Sequence, residues 1–218
     1  LQPMVIIFAA GNEGDGGFGG ETPRSLRSPG TAKNLITVGA TENYRMTGVT
    51  DGCSVADNGA DNLNHVIGFS SRGPTFDGRL KPDVMAPGTH IQGAASQIQN
   101  YNGSSICDAY MPEGQTLYGW SSGTSHSTPG TSGVAGLLFA WYRQNHEVDP
   151  SPALMKAMLT THSADMKGGD NGFGRQIAGI PNNTQGWGRI DMRDMFDDTP
   201  RMIYDQQELF TESGEVFE

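Results

Sequence analysis

Ser125 is the residue best placed to do chemistry. It lies in Gly123-Thr124-Ser125-His126-Ser127-Thr128-Pro129, which runs into an apolar segment from Gly133 to Tyr142. The pattern predicts a serine presented in the first turn of a helix running from about Ser125 to Gln144. A hydroxyl is a weak nucleophile at its free pKa and needs a base. A helix start adds a second resource, because its first N–H groups are unpaired and carry partial positive charge. One of them, joined by a side-chain amide, can stabilise the oxyanion that forms when a serine Oγ attacks a carbonyl. Pro129 suits a first helical turn, where proline removes no bond from the ladder. The plainer alternative is an N-cap and nothing more, since serine and threonine are preferred there.

These residues need elements to hold them. Val5 to Ala10 is a continuous apolar run ending in Gly11-Asn12, and it predicts a buried strand. Leu35-Ile36-Thr37-Val38-Gly39-Ala40 and Val66-Ile67-Gly68-Phe69 are similar short runs bounded by turn residues. Phe69-Ser70-Ser71-Arg72-Gly73-Pro74 precedes Lys81-Pro82-Asp83-Val84-Met85-Ala86-Pro87-Gly88-Thr89. In this order, ahead of the Gly-Thr-Ser helix, these segments resemble the subtilisin-like serine proteases, the subtilases. The resemblance runs from about Val5 to Phe196. It implies an α/β, three-layer fold with a mostly parallel sheet.

The resemblance also implies roles. Ser125 matches the nucleophile, and Asn12 matches the asparagine whose amide completes the oxyanion hole. Ala9, Ala10 and Gly11 match one wall of the pocket for the residue before the scissile bond, with Glu13 near its rim. Ser122 and Gly123 line the cleft beside the nucleophile. Without the resemblance, Asn12 reads as a turn residue after a strand. The chain departs from the family pattern at His126, after the nucleophile. Neighbours on a helix do not face each other, so His126 is not expected to be the base. It also departs at Gly130-Thr131-Ser132-Gly133, where Gly133 keeps the glycine that permits close helix packing.

No segment supplies the catalytic histidine or its carboxylate partner. In subtilisin the chain order is Asp, His, Ser. Both absent groups are therefore expected upstream of Leu1, and the chain reads as the C-terminal part of a longer catalytic domain. His65, His90, His146 and His162 read as isolated surface or cap residues. No spacing is diagnostic of a metal site, so no metal ligand and no required cofactor are assigned. A rival motif, Gly119-Trp120-Ser121-Ser122-Gly123, fits the nucleophile elbow of α/β-hydrolases and would make Ser121 the nucleophile of an esterase. A pseudoprotease or binding module is the remaining alternative.

Composition agrees with one sizeable, loop-rich core. The chain has 218 residues, 35% hydrophobic and 17% charged, with 31 glycines. The net charge of −10 and the lack of a basic run argue against nucleic acid as a partner. No apolar run approaches the ~20 residues that span a membrane. Polypeptide substrates and the missing N-terminal part of the catalytic domain are the expected partners. A second helix is predicted from Ser151-Pro152, with Leu154, Met155, Met158 and Leu159 as its inner stripe. Val134, Leu137, Leu138, Trp141 and Tyr142 cover most of the central helix's surface and predict that it is buried between the sheet and an outer layer. Gly186-Trp187-Gly188-Arg189-Ile190-Asp191 matches the family's closing segment, followed by a short helix near Met192 to Phe196. Residues 1–198 form the expected catalytic part, and residues 199–218 a linker and the start of an accessory domain.

Asn43 to Asn64 and Ser96 to Thr116 read as insertions. They hold the two cysteines, Cys53 and Cys107. Either these pair across the insertions, consistent with an oxidising compartment, or they are free thiols. The overall reading is of a secreted or extracellular protein. Asp51, Asp57 and Asp61, or Asp165 and Asp170 with Asn171, offer oxygen ligands for a structural calcium, although acidic loops are usually just solvated.

Overall fold

The computed structural model describes residues 4–16, 20–101, 107, 109–197, 199 and 201–205. Strands and helices are numbered in chain order. The larger sheet contains β1 (Ile7–Ala9), β2 (Ile36–Thr41), β3 (Val84–Pro87), β7 (Ser163–Ala164) and β8 (Arg189–Ile190), in the order β1-β2-β3-β8-β7. Its first four strands run parallel, with Ile7 opposite Ile36, Val38 opposite Val84 and Met85 opposite Arg189. Only the β7–β8 pair is antiparallel. A smaller antiparallel sheet has the order β4 (Ile91–Ala94), β6 (Tyr118–Ser121), β5 (Ala109–Tyr110).

All six residues of β2 are buried, as expected for a parallel strand covered on both faces. A polar knot ties β2 to the entry of β3. Lys81 Nζ donates to Asp83 Oδ2 at 2.6 Å and to Thr37 Oγ1 at 2.7 Å, and Lys156 reaches Asp83 Oδ1 at 2.8 Å. Burial holds the Lys81 ammonium below its usual range, and the Asp83 carboxylate opposes that shift. Sequence patterning does not show this network, because Lys81 meets Leu35 O and Thr37 from 44 to 46 positions away and Lys156 joins from still further along the chain.

Helix α1 (Thr124–His146) lies across β1, β2 and β3, and α2 (Pro152–Thr161) packs beside it. Ala135, Leu138 and Tyr142 of α1 join Met155, Met158 and Leu159 of α2 in the main core, over Ile36, Val38 and Val84. Ser151 caps α2 by accepting the Leu154 N–H at 3.0 Å, with Pro152 at N1, as the sequence predicts. A last short helix, α3 (Met192–Met195), starts at an Asp191 cap.

Four expectations need correction. The Val66–Phe69 run is not a strand: Val66 makes one isolated bridge to Thr41 and the chain then turns. β1 is not buried throughout, since Ile6 and Phe8 are exposed by about two fifths on one face. Nor is α1 covered all round: Leu137 is 55% exposed, and Gly133 and Gly136 meet nothing. Among the described residues this helix packs mainly on the sheet and α2, with Phe196 against Trp141. Pro129 falls in the second turn of α1, inside the helix, where it withholds the usual N–H from the Ser125 carbonyl.

Residues 201–205 pack back onto the core. Ile203 touches the main cluster, Asp205 accepts the Ser151 N–H at 2.6 Å, and Arg201 donates to His162 Nε2 at 2.9 Å. These residues belong to the linker and accessory segment expected over 199–218, of which 206–218 lie outside the described residues.

Candidate active site

Two chain crossings build the site. At the first, β1 ends and the chain turns through Gly11, whose φ of +106° suits glycine. A Cβ there would stand 2.5 Å from Glu13 Oε2 and 3.0 Å from Ser71 Oγ. At the second, β6 ends and Gly123, at φ +152°, swings the chain into α1. The two crossings are locked together. Thr124 N–H and Thr124 Oγ1 both donate to Asn12 Oδ1, each at 2.9 Å, and Gly11 N–H donates to Thr124 Oγ1 at 3.2 Å.

This clamp has a chemical consequence. An asparagine amide has one acceptor end and one donor end. Two donors from Thr124 occupy the oxygen, so the Nδ2 end must point away from Thr124 and remains able to donate. Asn12 is exposed, and so is Ser125 on the next residue of the helix. A donor amide is thus held beside an exposed hydroxyl in the first turn of a 23-residue helix.

The other predicted residues fall around this pair. Ala9 ends β1, and buried Ala10 donates its N–H to Val38 O at 2.9 Å. Glu13 folds back onto Ser71, taking its hydroxyl at 3.1 Å while the Glu13 N–H donates to Ser71 Oγ at 3.0 Å. Its carboxylate therefore sits against Gly11. Ser122 and Gly123 are buried in the segment leading to Ser125.

Ser121 is not presented as an elbow. It is buried at the end of β6, with its Oγ 3.7 and 3.6 Å from the two cysteine sulfurs, and the helix starts three residues later. Cys53 and Cys107 are joined in a disulfide across the two insertions.

The histidines have other duties. His90 is a correction: it is fully buried, not a surface or cap residue. Its Nδ1 faces Arg45 O at 3.0 Å and its Nε2 faces Val55 O at 2.9 Å, and its ring stacks on Trp120. His146 stacks on Tyr142, and His162 closes α2 against Met158 O. His65 meets Asn62 at 3.0 Å. None of these four is bonded to Ser125.

The acidic candidates mostly serve backbone N–H groups. Asp51 accepts from Cys53 and Val55, Asp57 from Thr47 and Gly48, and Asp170 from Gly172 and Gly174. Those bonds hold the Asp57 carboxyl below its usual range. Asp165 accepts from Lys167 and Gln185, and Asn171 from Phe173 and Arg175. Asp61 sits with Glu42 and His65, their ligand-type atoms all within 4.8 Å of one another. Burial, then the Asp61 charge, pushes the Glu42 carboxyl up to about 7. No helix among the described residues is long and apolar enough to cross a membrane.

The parallel sheet under a central helix that starts at an exposed serine is the architecture of the subtilisin-like proteases. Fervidolysin from Fervidobacterium pennivorans, an enzyme related to subtilisin, superposes with a TM-score of 0.51 at 21% identity, over 88% of this chain and 22% of that one. In sequence, the Subtilase family profile matches residues 2–188, and the chain belongs to that family. It is 31% identical to the serine protease AprX of Bacillus subtilis strain 168 over 186 residues, 84% of this chain and 36% of AprX. It is 30% identical to pyrolysin of Pyrococcus furiosus over 200 residues, 84% of this chain and 12% of pyrolysin. The chain therefore spans about a third or less of these curated relatives.

Proposed function

We propose that this chain carries the nucleophile and oxyanion hole of a secreted serine endopeptidase. Ser125 Oγ attacks the scissile carbonyl to form an acyl-enzyme. The Ser125 N–H, at the positive end of α1, and the Asn12 amide hold the oxyanion. Polypeptides are the substrates, with Ala9, Ala10, Gly11 and Glu13 on one side of the cleft and Ser122 and Gly123 on the other. The chemistry needs no cofactor. The observation that carries the reading is the Thr124 clamp on Asn12, which turns a donor amide outward beside Ser125.

The base and its carboxylate orienter come from a further part of the catalytic domain. Two observations support this. His65, His90, His146 and His162 are engaged elsewhere in the fold, and His126 follows Ser125 directly on the same helix, where neighbouring side chains do not face each other. Exposed Met4, Ile6 and Phe8, at and just before β1, border an open pocket shared with Ser132, Gly136 and Phe139 of α1. A parallel sheet is ordinarily covered on both faces, so this bare region is where the remaining layers belong.

A fluorophosphonate probe tests the reading. It should label Ser125 rapidly and stoichiometrically in the full-length protease, and fail to label this 218-residue chain alone. Absence of labelling at Ser125 in the full-length protease would refute it.

A further inference from the structure

We propose that Asp51 is a positioning residue for this active site: acting through Ser122, it fixes the cleft wall that precedes the nucleophile. The inference rests on the reading of Ser125 as nucleophile and Ser122 as cleft wall.

The polar atoms of Ser122 meet groups brought by two distant segments, the loop of Asp51 and Cys53 and the turn at His90. Its hydroxyl donates to Asp51 Oδ2 in a short bond buried from solvent. The same Oγ accepts the His90 N–H at 3.0 Å. Its N–H points at Cys53 Sγ, 3.1 Å away. Asp51 is itself immobilised. Its Oδ1 accepts the Cys53 and Val55 N–H groups, each at 2.9 Å, and its residue is 7% exposed. The loop carrying it is anchored twice more, by the disulfide from Cys53 to Cys107 and by His90 against Val55 O. Asp51 thus joins a fixed insertion to a residue three positions before Ser125.

The division of labour follows from the bonding. Thr124, the residue before Ser125, is held by the Asn12 clamp, which does not involve Asp51. Ser122 is held by Asp51. Loss of the Asp51 acceptor should therefore move the wall that grips the substrate main chain and leave the nucleophile in place. That is a loss of binding shared by ground state and transition state, which raises KM and spares kcat.

The test uses the full-length protease, with a peptide that extends on both sides of the scissile bond. Asp51→Asn keeps an oxygen for the Cys53 and Val55 N–H groups and removes the acceptor facing Ser122. It should raise KM about tenfold, the scale of one charge-assisted hydrogen bond, with kcat within about threefold. The rate of fluorophosphonate labelling at Ser125 should be unchanged. In a Ser122→Ala background Asp51→Asn should raise KM by less than about twofold, because its route to the cleft is already gone. An unchanged KM for Asp51→Asn, or an equal rise in both backgrounds, overturns the proposal. Asp51→Ala, expected to raise KM further, serves as the second variant.

Amide hydrogen exchange provides a readout independent of proteolysis. Asp51→Asn should speed exchange at Ser122 and Gly123 by about tenfold or more and leave the Thr124 amide protected. Equal exchange in variant and parent at Ser122 overturns the proposal even where hydrolysis is normal. A parent that folds but cleaves no peptide defeats the protease reading alone, and the exchange result still decides the role of Asp51.

Discussion

Replacing Thr124 by valine tests whether the oxyanion hole is built as the geometry indicates. Valine keeps the shape of threonine and the main-chain N–H, and deletes Oγ1. Two bonds disappear: the 2.9 Å donation to Asn12 Oδ1 and the 3.2 Å acceptance from Gly11 N–H. Only the Thr124 N–H then anchors the Asn12 oxygen. A typical net hydrogen bond contributes roughly 0.5–1.5 kcal/mol. Losing one of the two bonds that orient the amide, and loosening the Gly11 turn behind it, should cost the transition state about 1.4 kcal/mol, or tenfold in kcat. KM should hardly change, because the amide engages the substrate oxygen only as negative charge develops there.

Asn12→Ala removes the donor outright and should be more severe. In subtilisin, loss of the corresponding donor costs roughly 10²–10³ in kcat, and the same scale is expected here. Asn12→Asp should be worse, since a carboxylate repels the oxyanion. Thr124→Val should cost nothing further in an Asn12→Ala background, because its effect passes through Asn12. The assay is steady-state hydrolysis of a chromogenic peptide by the full-length protease, with circular dichroism to confirm folding. Folded Asn12→Ala protein with an unchanged kcat would show that Asn12 is only a turn residue and refute the clamp argument.

Other outcomes follow from the same structure. Ser125→Ala should abolish acyl-enzyme formation in the full-length protease, whereas Ser121→Ala, whose hydroxyl lies beside the disulfide, should keep most activity; the reverse would favour the nucleophile elbow. Peptide mapping without reductant should recover Cys53 and Cys107 in one linked pair, and two alkylatable thiols in oxidised protein would count against it. Glu42 should make stability fall as pH rises. Its carboxyl titrates near 7 in the fold against 4.5 for the free group, so the native state keeps a proton that the unfolded chain releases between those values. The contribution is fully present below pH 4.5 and lost through pH 7, a change of about 3 kcal/mol. Urea unfolding of Glu42→Gln should therefore show the variant gaining on the parent between pH 4.5 and 8, and a constant difference would contradict the shift.

Local chemistry was legible in the sequence to different depths. The α1 start was readable because a glycine, small hydroxyl residues and an apolar run act within a few positions of one another. The α2 cap at Ser151 was readable for the same reason. β2 was readable because both its faces are buried. The Val66–Phe69 run misled, since its apolar side chains fill space beside β2 without a partner strand to extend the ladder. His90 was misread because its partners, Arg45 O and Val55 O, are carbonyls about 35 to 45 positions away, which no spacing rule reaches. For the cysteines the sequence left pairing and free thiols both open, because partners 54 positions apart carry no spacing signal, and the structure shows them paired.

The overburied reading of α1 failed for an informative reason. Hydrophobicity around the whole helix correctly signals that every face is meant to be covered. Among the described residues only one side has its cover, so Leu137 stands exposed beside Gly133 and Gly136, where nothing lies near. A side chain at either glycine would be free of clashes here, yet glycine costs a helix roughly 1 kcal/mol relative to alanine. Such residues repay their cost where another backbone must approach closely. The bare face lies on the same helix as Ser125, beside the apolar edge at Ile6 and Phe8. A layer docked there would approach the nucleophile from across the cleft, the direction from which a histidine base must come. The misfit between a largely apolar helix and its half-covered state therefore supports the proposal that a further layer of the catalytic domain docks on this face.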